Sequence, residues 1–366
     1  MTQKLHLSAS FTVAAAFIGF NIGASNSTGQ ESLQFISGFG SSGLLGALIM
    51  IALFFIFTMI TVKDVQRYRL KSVSAMFQHY MGTILGKILT VYIIVYMIGG
   101  LSLLISGCGV VFNDYLGIPN LWGRIIMTIA TVLLVIFGLK QVTRIGGIIS
   151  VAIVLAQTVI PLINIITCED GFAAGSALIQ SMDIIRGADN WWMGGIMYFS
   201  WAALLAITYV GTLATNDAGC SPKELSLGLF IGCVVLAFLV LLPNAAIISN
   251  ASVIEGSQTP NITLAIRVHP ALGTVVSIVV LIAIFTSLAP QAYSACSMII
   301  SENHKYFKPL AIVVCLIGFI GSCLGSFATI VNVITSVSAW VGFVYIAGVL
   351  ITKFIRRPKL PTAEDA

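Results

Sequence analysis

The sequence predicts an all-α integral membrane protein of about ten transmembrane helices, and three observations carry that expectation. Of 366 residues, 58% are hydrophobic and only 8% charged, with a mean hydropathy of +1.03. A soluble domain carries about 25% charged residues, and a larger core cannot absorb the deficit, because single cores stop growing at about 250–300 residues. Apolar runs of the length a bilayer demands, about 20 residues each, recur ten times along the chain. The cations, finally, fall on one side of those runs.

The runs lie at roughly 8–36 (interrupted), 40–62, 88–112, 121–139, 145–167, 191–214, 224–248, 272–299, 309–327 and 330–352. In hydrocarbon every backbone amide needs an internal partner, so runs of this kind are read as helices. The longest connections, 63–87, 168–190 and 249–271, leave no room for a soluble domain. The chain is read as one transmembrane domain, with a first repeat over about 8–167, a second over about 191–352 and a cytoplasmic tail at 353–366.

Lys and Arg are retained on the cytoplasmic side. With the N-terminus inside, the inner segments hold 15 cations, from Lys4 through Lys63, Arg67, Arg69, Lys140 and Lys223 to Lys353 and Lys359, against Arg124, Arg186 and Arg267 outside. Both termini are therefore expected in the cytoplasm, and the localisation is the cell (inner) membrane. Glu169, Asp170, Asp183, Asp189 and Glu255 then lie outside, as do the sequons at Asn250 and Asn261, which as three-residue matches carry little information.

Several function classes drop out. The formal charge is +5 without a basic cluster interleaved with aromatics, which argues against nucleic acid. The seven cysteines form no CxxC pair and sit mostly in apolar runs, as small packing residues do. His6, His79, His269 and His304 show no metal-ligand spacing. No G-x-S-x-G, HExxH or P-loop occurs, so no enzyme is expected. The polar run after the first apolar stretch lacks an A-x-A site, and a cleaved signal peptide is not expected.

The first span is the most informative. Its apolar run Phe11 to Gly23 gives way at mid-membrane depth to Ala24-Ser25-Asn26-Ser27-Thr28-Gly29-Gln30-Glu31, then resumes through Leu33, Phe35 and Ile36. Small, hydroxyl and glycine residues weaken a helix there, by about 1 kcal/mol per glycine relative to alanine. Unwound backbone at that depth is tolerated only where it lines a cavity or is buried in protein. Ser27 or Thr28 could cap the second half, with Glu31 in its first turn. The alternative is an unbroken helix packed through Gly19 and Gly23, with the polar run as its outer loop. Glu31 is the one carboxylate near the break. It is either a functional intramembrane acid or a solvated acid at the outer vestibule.

The sixth span, opening Met193-Gly194-Gly195 and running through Tyr198, Phe199, Ser200 and Trp201 to Thr215, stands five spans later. An inverted five-plus-five repeat places a second break here, although no proline or mid-span glycine marks it. Tyr198, Phe199 and Trp201 read either as an aromatic wall over a solute or as ordinary packing. The eighth span carries Ala283, Thr286, Ser287 and Pro290. Paired hydroxyls in an apolar helix commonly bond back to the preceding turn, yet hydroxyl and carbonyl oxygens are also what a hard cation needs. Asn164, Gln157, Gln291 and Asn332 are candidates for hydrogen bonds between helices.

Ten spans with both ends inside, the Gly19-Phe-Asn-Ile-Gly23-Ala-Ser-Asn-Ser-Thr-Gly29-Gln30-Glu31 interruption and the Thr-Ser pair of the eighth span resemble the amino acid, polyamine and organocation transporter superfamily with the LeuT-type fold. The Gly29-Gln30-Glu31 ending most resembles its YkvI-like bacterial membrane proteins, from whose pattern this chain departs at Ser25, Asn26, Ser27 and Thr28. The resemblance implies discontinuous helices 1 and 6 in a 5+5 inverted repeat, and alternating access to a midplane site. It implies a solute held by Gly23, Ala24, Ser25, Asn26, Ser27, Thr28, Gly29 and Glu31 and by Tyr198, Phe199, Ser200 and Trp201. It also implies sodium as coupling ion, held by the carbonyls of Gly19, Ile22 and Ala283 and the hydroxyls of Thr286 and Ser287, with Asn26 as a candidate for a second sodium. The expected function is thus a secondary transporter, a sodium-coupled symporter of an amino acid or amine. Proton coupling through Glu31 and a receptor-like, non-transporting relative are the alternatives.

Overall fold

The computed structural model of the chain describes residues 6–21, 27–70, 72–137, 140–215 and 221–356. Among them there is no strand. The helices are α1 (Leu7–Asn21), a short α2 (Gln30–Phe35), α3 (Ser41–Tyr68), α4 (Val73–Leu116), α5 (Asn120–Phe137), α6 (Lys140–Ile166), α7 (Phe172–Ser181), α8 (Trp191–Thr215), α9 (Pro222–Ser249), α10 (Ala251–Ile254), α11 (Pro260–Val268), α12 (Pro270–Ser297), α13 (Phe307–Ser322) and α14 (Phe327–Ile351). A helix falls on each of the ten expected spans. Among the described residues, α3, α4, α9, α12 and α14 are by length and composition alone able to cross a membrane. Large apolar side chains such as Ile84, Val95, Ile129, Val151 and Ile320 stand exposed along the outside. This is the surface of a multi-pass protein meeting lipid.

Turn chemistry marks the helix ends. Ser72 caps α4 by accepting from the Ala75 amide. Ser221 and Glu224 form a reciprocal capping box on α9, with Pro222 in its first turn, and the second Glu224 oxygen accepts from the His6 amide at 2.6 Å, tying the start of α1 to α9. Gly82, at φ 76° and ψ 173°, breaks α4 into a short 73–81 piece and the long crossing 83–116.

The helices sort into two groups. In one, α3 lies along α8, α1 along α9, and α9 against α3. In the other, α4 packs on α5, α12 and α13. Two helices touch both: α14 lies on α8 and α4, and α6 on α9 and α12. Helices α3 and α8 cross in backbone contact. A Cβ on Gly46 would stand 2.3 Å from the Trp191 carbonyl oxygen, and one on Gly195 2.1 Å from that of Gly46.

That crossing explains where the sixth span departs from expectation. Trp191–Thr215 is one continuous helix, not two half-helices. Gly194 and Gly195 sit in its first turns, where they admit the backbones of Phe35 and Gly46, and no proline interrupts the hydrogen-bond ladder beyond them. The expected loops also hold structure. The segment 168–190 contains α7, and 249–271 contains α10 and α11. Residues 353–356, placed in the tail, continue α14 as a π-helical turn over Thr352–Arg356.

A side chain at the α3–α8 crossing has no room to relax, because its neighbour is backbone. Gly195→Val should therefore lower the thermal unfolding midpoint of the detergent-purified protein, by the equivalent of about 1–3 kcal/mol as for other overpacked cores. An unchanged midpoint would mean that the two helices separate freely.

Candidate functional site

The described end of the first-span interruption, from Ser27 to Glu31, is buried. Helix α1 ends at Asn21, and the chain is helical again at Ser27 and Thr28. Residues Ile22, Gly23, Ala24, Ser25 and Asn26 lie outside the described residues. Gly29 is the N-cap of α2 at φ 83°, a left-handed conformation that glycine adopts without strain. Its α-carbon faces Asn261 of α11, whose side-chain carbon would be 2.8 Å from any Cβ added there. The Asn261 amide donates to the Ser27 carbonyl at 3.3 Å, and the Thr28 hydroxyl accepts from the Gln30 amide at 3.4 Å. A short helix outside the expected spans thus supplies part of what the broken ladder gives up. Asn261 was expected only as a chance sequon. Its place opposite the break has no signal in the sequence beyond that polar triplet.

All six residues of α2 are buried, and Glu31 is 1% exposed. Of the two readings of this acid, the solvated vestibule carboxylate is excluded. Its carboxylate lies within electrostatic reach of Tyr96 on α4 and Tyr198 on α8. Tyr198 stacks on Phe35 at 5.8 Å and on Trp201 at 5.3 Å, forming a continuous aromatic face beside the acid. The buried indole N–H of Trp201 has no acceptor among the described residues. Phe199 points elsewhere. It packs edge-on to Phe54 and tilted on Phe57 of α3, as core. Ser200 bonds back to Ile196, and its backbone closes on Gly342 of α14. Of the sixth-span quartet, then, Tyr198 lies within electrostatic reach of Glu31 and stacks on Trp201, whereas Phe199 and Ser200 pack against α3 and α14.

Tyr96 belongs to this face and was not expected. The sequence did carry a trace of it, since Tyr92 and Tyr96 put two phenols on one side of an apolar helix. The two rings stack at 6.3 Å, and the Tyr92 hydroxyl meets Ser338 of α14 at 2.9 Å.

Gln34 donates to the Ala328 carbonyl, whose own amide bonds to Gln258. Asn332 donates to the Arg186 carbonyl, and the Arg186 guanidinium reaches the carbonyls of Gly38, Ile179 and Gln180 at 3.0–3.1 Å. Beside Ser27 and Asn261 lies a small cavity of about 20 Å³, lined by these two, by Gln157 and otherwise by apolar residues of α6, α11 and α12 such as Ile160, Leu264, Val276 and Val280.

The expected ion ligands are split between two helices. Thr286 and Ser287 both donate to the Ala283 carbonyl, at 3.0 and 2.9 Å, so three oxygens converge on one turn of α12. Pro290 has no amide to offer the Thr286 carbonyl one turn earlier. Gly19 is on α1, whose main neighbours are α9, α6 and α8. Among the described residues no group of three or more His, Cys, Asp or Glu side chains could hold a metal ion.

No family model matches the chain. It is 23% identical to the membrane protein YkvI of Bacillus subtilis over 356 residues, which is 95% of this chain and 97% of that one. Its structure resembles that of MhsT in complex with L-phenylalanine, with a TM-score of 0.62 at 16% identity, covering 93% of this chain and 88% of that one. It also resembles a sodium-coupled sialic acid symporter in a substrate-bound outward-open state, with a TM-score of 0.61 at 12% identity over 96% and 85% of the two chains. The chain is thus similar to YkvI over nearly its whole length and shares the LeuT-type fold of these solved structures. The interrupted first span and the two helix groups are the parts of that fold on which the candidate site is built.

Two substitutions separate what holds the break from what the break presents. Asn261→Ala leaves the Ser27 carbonyl buried without this donor and should destabilise the protein by about 1–3 kcal/mol. Glu31→Gln keeps the shape of the side chain and should lower the melting midpoint by less than Asn261→Ala does. Melting curves of both variants in one detergent check the pair, and a large fall for Glu31→Gln would recast the acid as a structural group.

Proposed function

We propose that the protein is a secondary transporter, a sodium-coupled symporter that carries a small organic solute bearing an ammonium group, an amino acid or an amine, by alternating access. The observation that carries this reading is the buried Glu31 carboxylate at the interrupted first helix, flanked by Tyr96 and by the stacked faces of Phe35, Tyr198 and Trp201. An acid beside aromatic faces suits a cationic headgroup, through charge and through the ring quadrupoles together. Two solved proteins of the same fold give the reading a context: one binds L-phenylalanine, and the other is a sodium-coupled symporter.

In this reading Thr28, Gly29 and Glu31, with Tyr198 and Trp201, contact the solute, and Ser27 borders it from the side of the cavity. Gly23, Ala24, Ser25 and Asn26 complete the break. Sodium sits between the carbonyls of Gly19, Ile22 and Ala283 and the hydroxyls of Thr286 and Ser287. The repeats run over about 8–167 and 191–352, and the cation asymmetry puts both termini in the cytoplasm of the cell membrane. Proton coupling is the second reading, and one observation favours it. Both hydroxyls of the α12 pair are engaged by Ala283, whereas Glu31 is a buried group that can take up a proton.

Thermal stability in sodium against a bulky organic cation tests the choice. A site-bound ion stabilises by about 2.7 kcal/mol at a hundredfold excess over its dissociation constant. Sodium should raise the midpoint of the wild type and not that of the Thr286→Ala, Ser287→Ala double variant. If sodium stabilises neither, coupling passes to Glu31. Gradient-driven uptake of an amine and amino acid panel then tests transport itself, and absence of accumulation under every gradient would overturn it.

A further inference from the structure

A second buried acid lies far from the first. Asp64, near the end of α3, has a side chain 3% exposed. One carboxylate oxygen receives the Lys353 ammonium at 2.7 Å and the other the Tyr80 hydroxyl at 3.2 Å. The three residues come from three places: α3, the 73–81 piece before the Gly82 break, and the π turn after α14. The last two are already joined without Asp64. The Thr352 hydroxyl donates to the Tyr80 carbonyl at 2.9 Å, Tyr345 meets Phe77 and Tyr80 edge-on at 5.6 and 6.0 Å, and Gly348 admits Met81. Helix α3 itself packs on α8 and α9, and neither α4 nor α14 is among its main neighbours. Besides the Asp64 contacts, the Thr61 hydroxyl of α3 stands within reach of Tyr80 and Tyr345, and the ring of Tyr68 meets that of His79 at 4.5 Å across this seam.

We propose that Asp64, Tyr80 and Lys353 form a latch at the inner face, closed in this structure, that holds the α3 group of helices to the joined end of α4 and α14 and must release for the inner side to open. The physical reason is the burial of the charge. A carboxylate out of water is tolerated while a cation and a hydroxyl face it, and becomes costly when either leaves. Closed, the contact is self-consistent; opened, Asp64 returns to water. No intermediate separation satisfies the acid, so the contact has two states. The inference rests on the alternating-access reading only for what the movement serves.

The test is hydrogen–deuterium exchange on the full chain in detergent, without added solute, for the wild type, Asp64→Asn, Tyr80→Phe, and the charge swap Asp64→Lys with Lys353→Asp. A latch predicts exchange at 73–81 and 345–356 faster by about tenfold in Asp64→Asn, by opening rather than unfolding. It also predicts slower exchange at the opposite face, over 183–190 and 255–268. Tyr80→Phe, the mildest change, should move both faces in the same sense by less, and the swap should return both toward wild type. Faster exchange at the inner face alone, with the outer face unmoved, would make the cluster a static staple and overturn the proposal, as would no change at either face. Because no solute or ion enters the measurement, a failed uptake panel would count against the transport reading and leave this result standing.

Discussion

A helix that stops inside a membrane has to find partners for its backbone within the protein, and the architecture around α2 follows from that requirement. Gly29 turns left-handed where the ladder is cut, Asn261 reaches in to one of the exposed carbonyls, and the Thr28 hydroxyl takes one of the amides. Each borrowed bond fixes an element. Asn261 brings α11 down against the break, and the Gly187 amide, bonded to the Gln34 carbonyl at 3.1 Å, brings in the chain before α8. The acid that follows the break is carried to a depth that few carboxylates reach. The chemistry of the candidate site is thus a by-product of satisfying the interrupted backbone.

Packing then distributes freedom unevenly. Backbone-to-backbone contact at Gly46 and Gly195 makes α3 and α8 move as one piece. Between the two helix groups, α14 and α6 pack on both, and polar contacts are made by the carbonyl-seeking Gln34, Asn332 and Arg186 and by the Asp64 cluster. A molecule stiff within each half and joined by shared helices and polar contacts has its hinge built in.

The sequence made the spans legible because hydropathy over twenty residues is a large signal, and the ten expected runs each meet a helix. The interruption of the first span was legible for the same reason, since a polar run inside an apolar one is conspicuous. The sixth span misled through symmetry. A fold-level expectation put a break where Gly194 and Gly195 serve helix contact instead. Short helices between spans were missed because they are stabilised by what they cover. Only Pro260 at the first turn of α11 marked one locally. Distances between remote polar residues, such as Asp64 and Lys353, 289 positions apart, have no local signature at all. Neither does the bonding of Thr286 and Ser287 to a single carbonyl, which composition cannot distinguish from an ion ligand.

The two asparagines that match glycosylation sequons have a bearing on how the protein can be made. Asn250 is fully buried and its amide donates to the carbonyls of Asn164 and Ala246, while Asn261 is pressed against Gly29. Oligosaccharide is attached at Asn-X-Ser/Thr to the side-chain nitrogen, the atom that each of these residues commits to a backbone carbonyl. A eukaryotic secretory host that modified either residue on the nascent chain would fill a space that the folded helices need. Bacterial expression, or replacement of Ser252 and Thr263 in the two sequons, avoids a conflict between processing and packing that a hydropathy plot does not reveal.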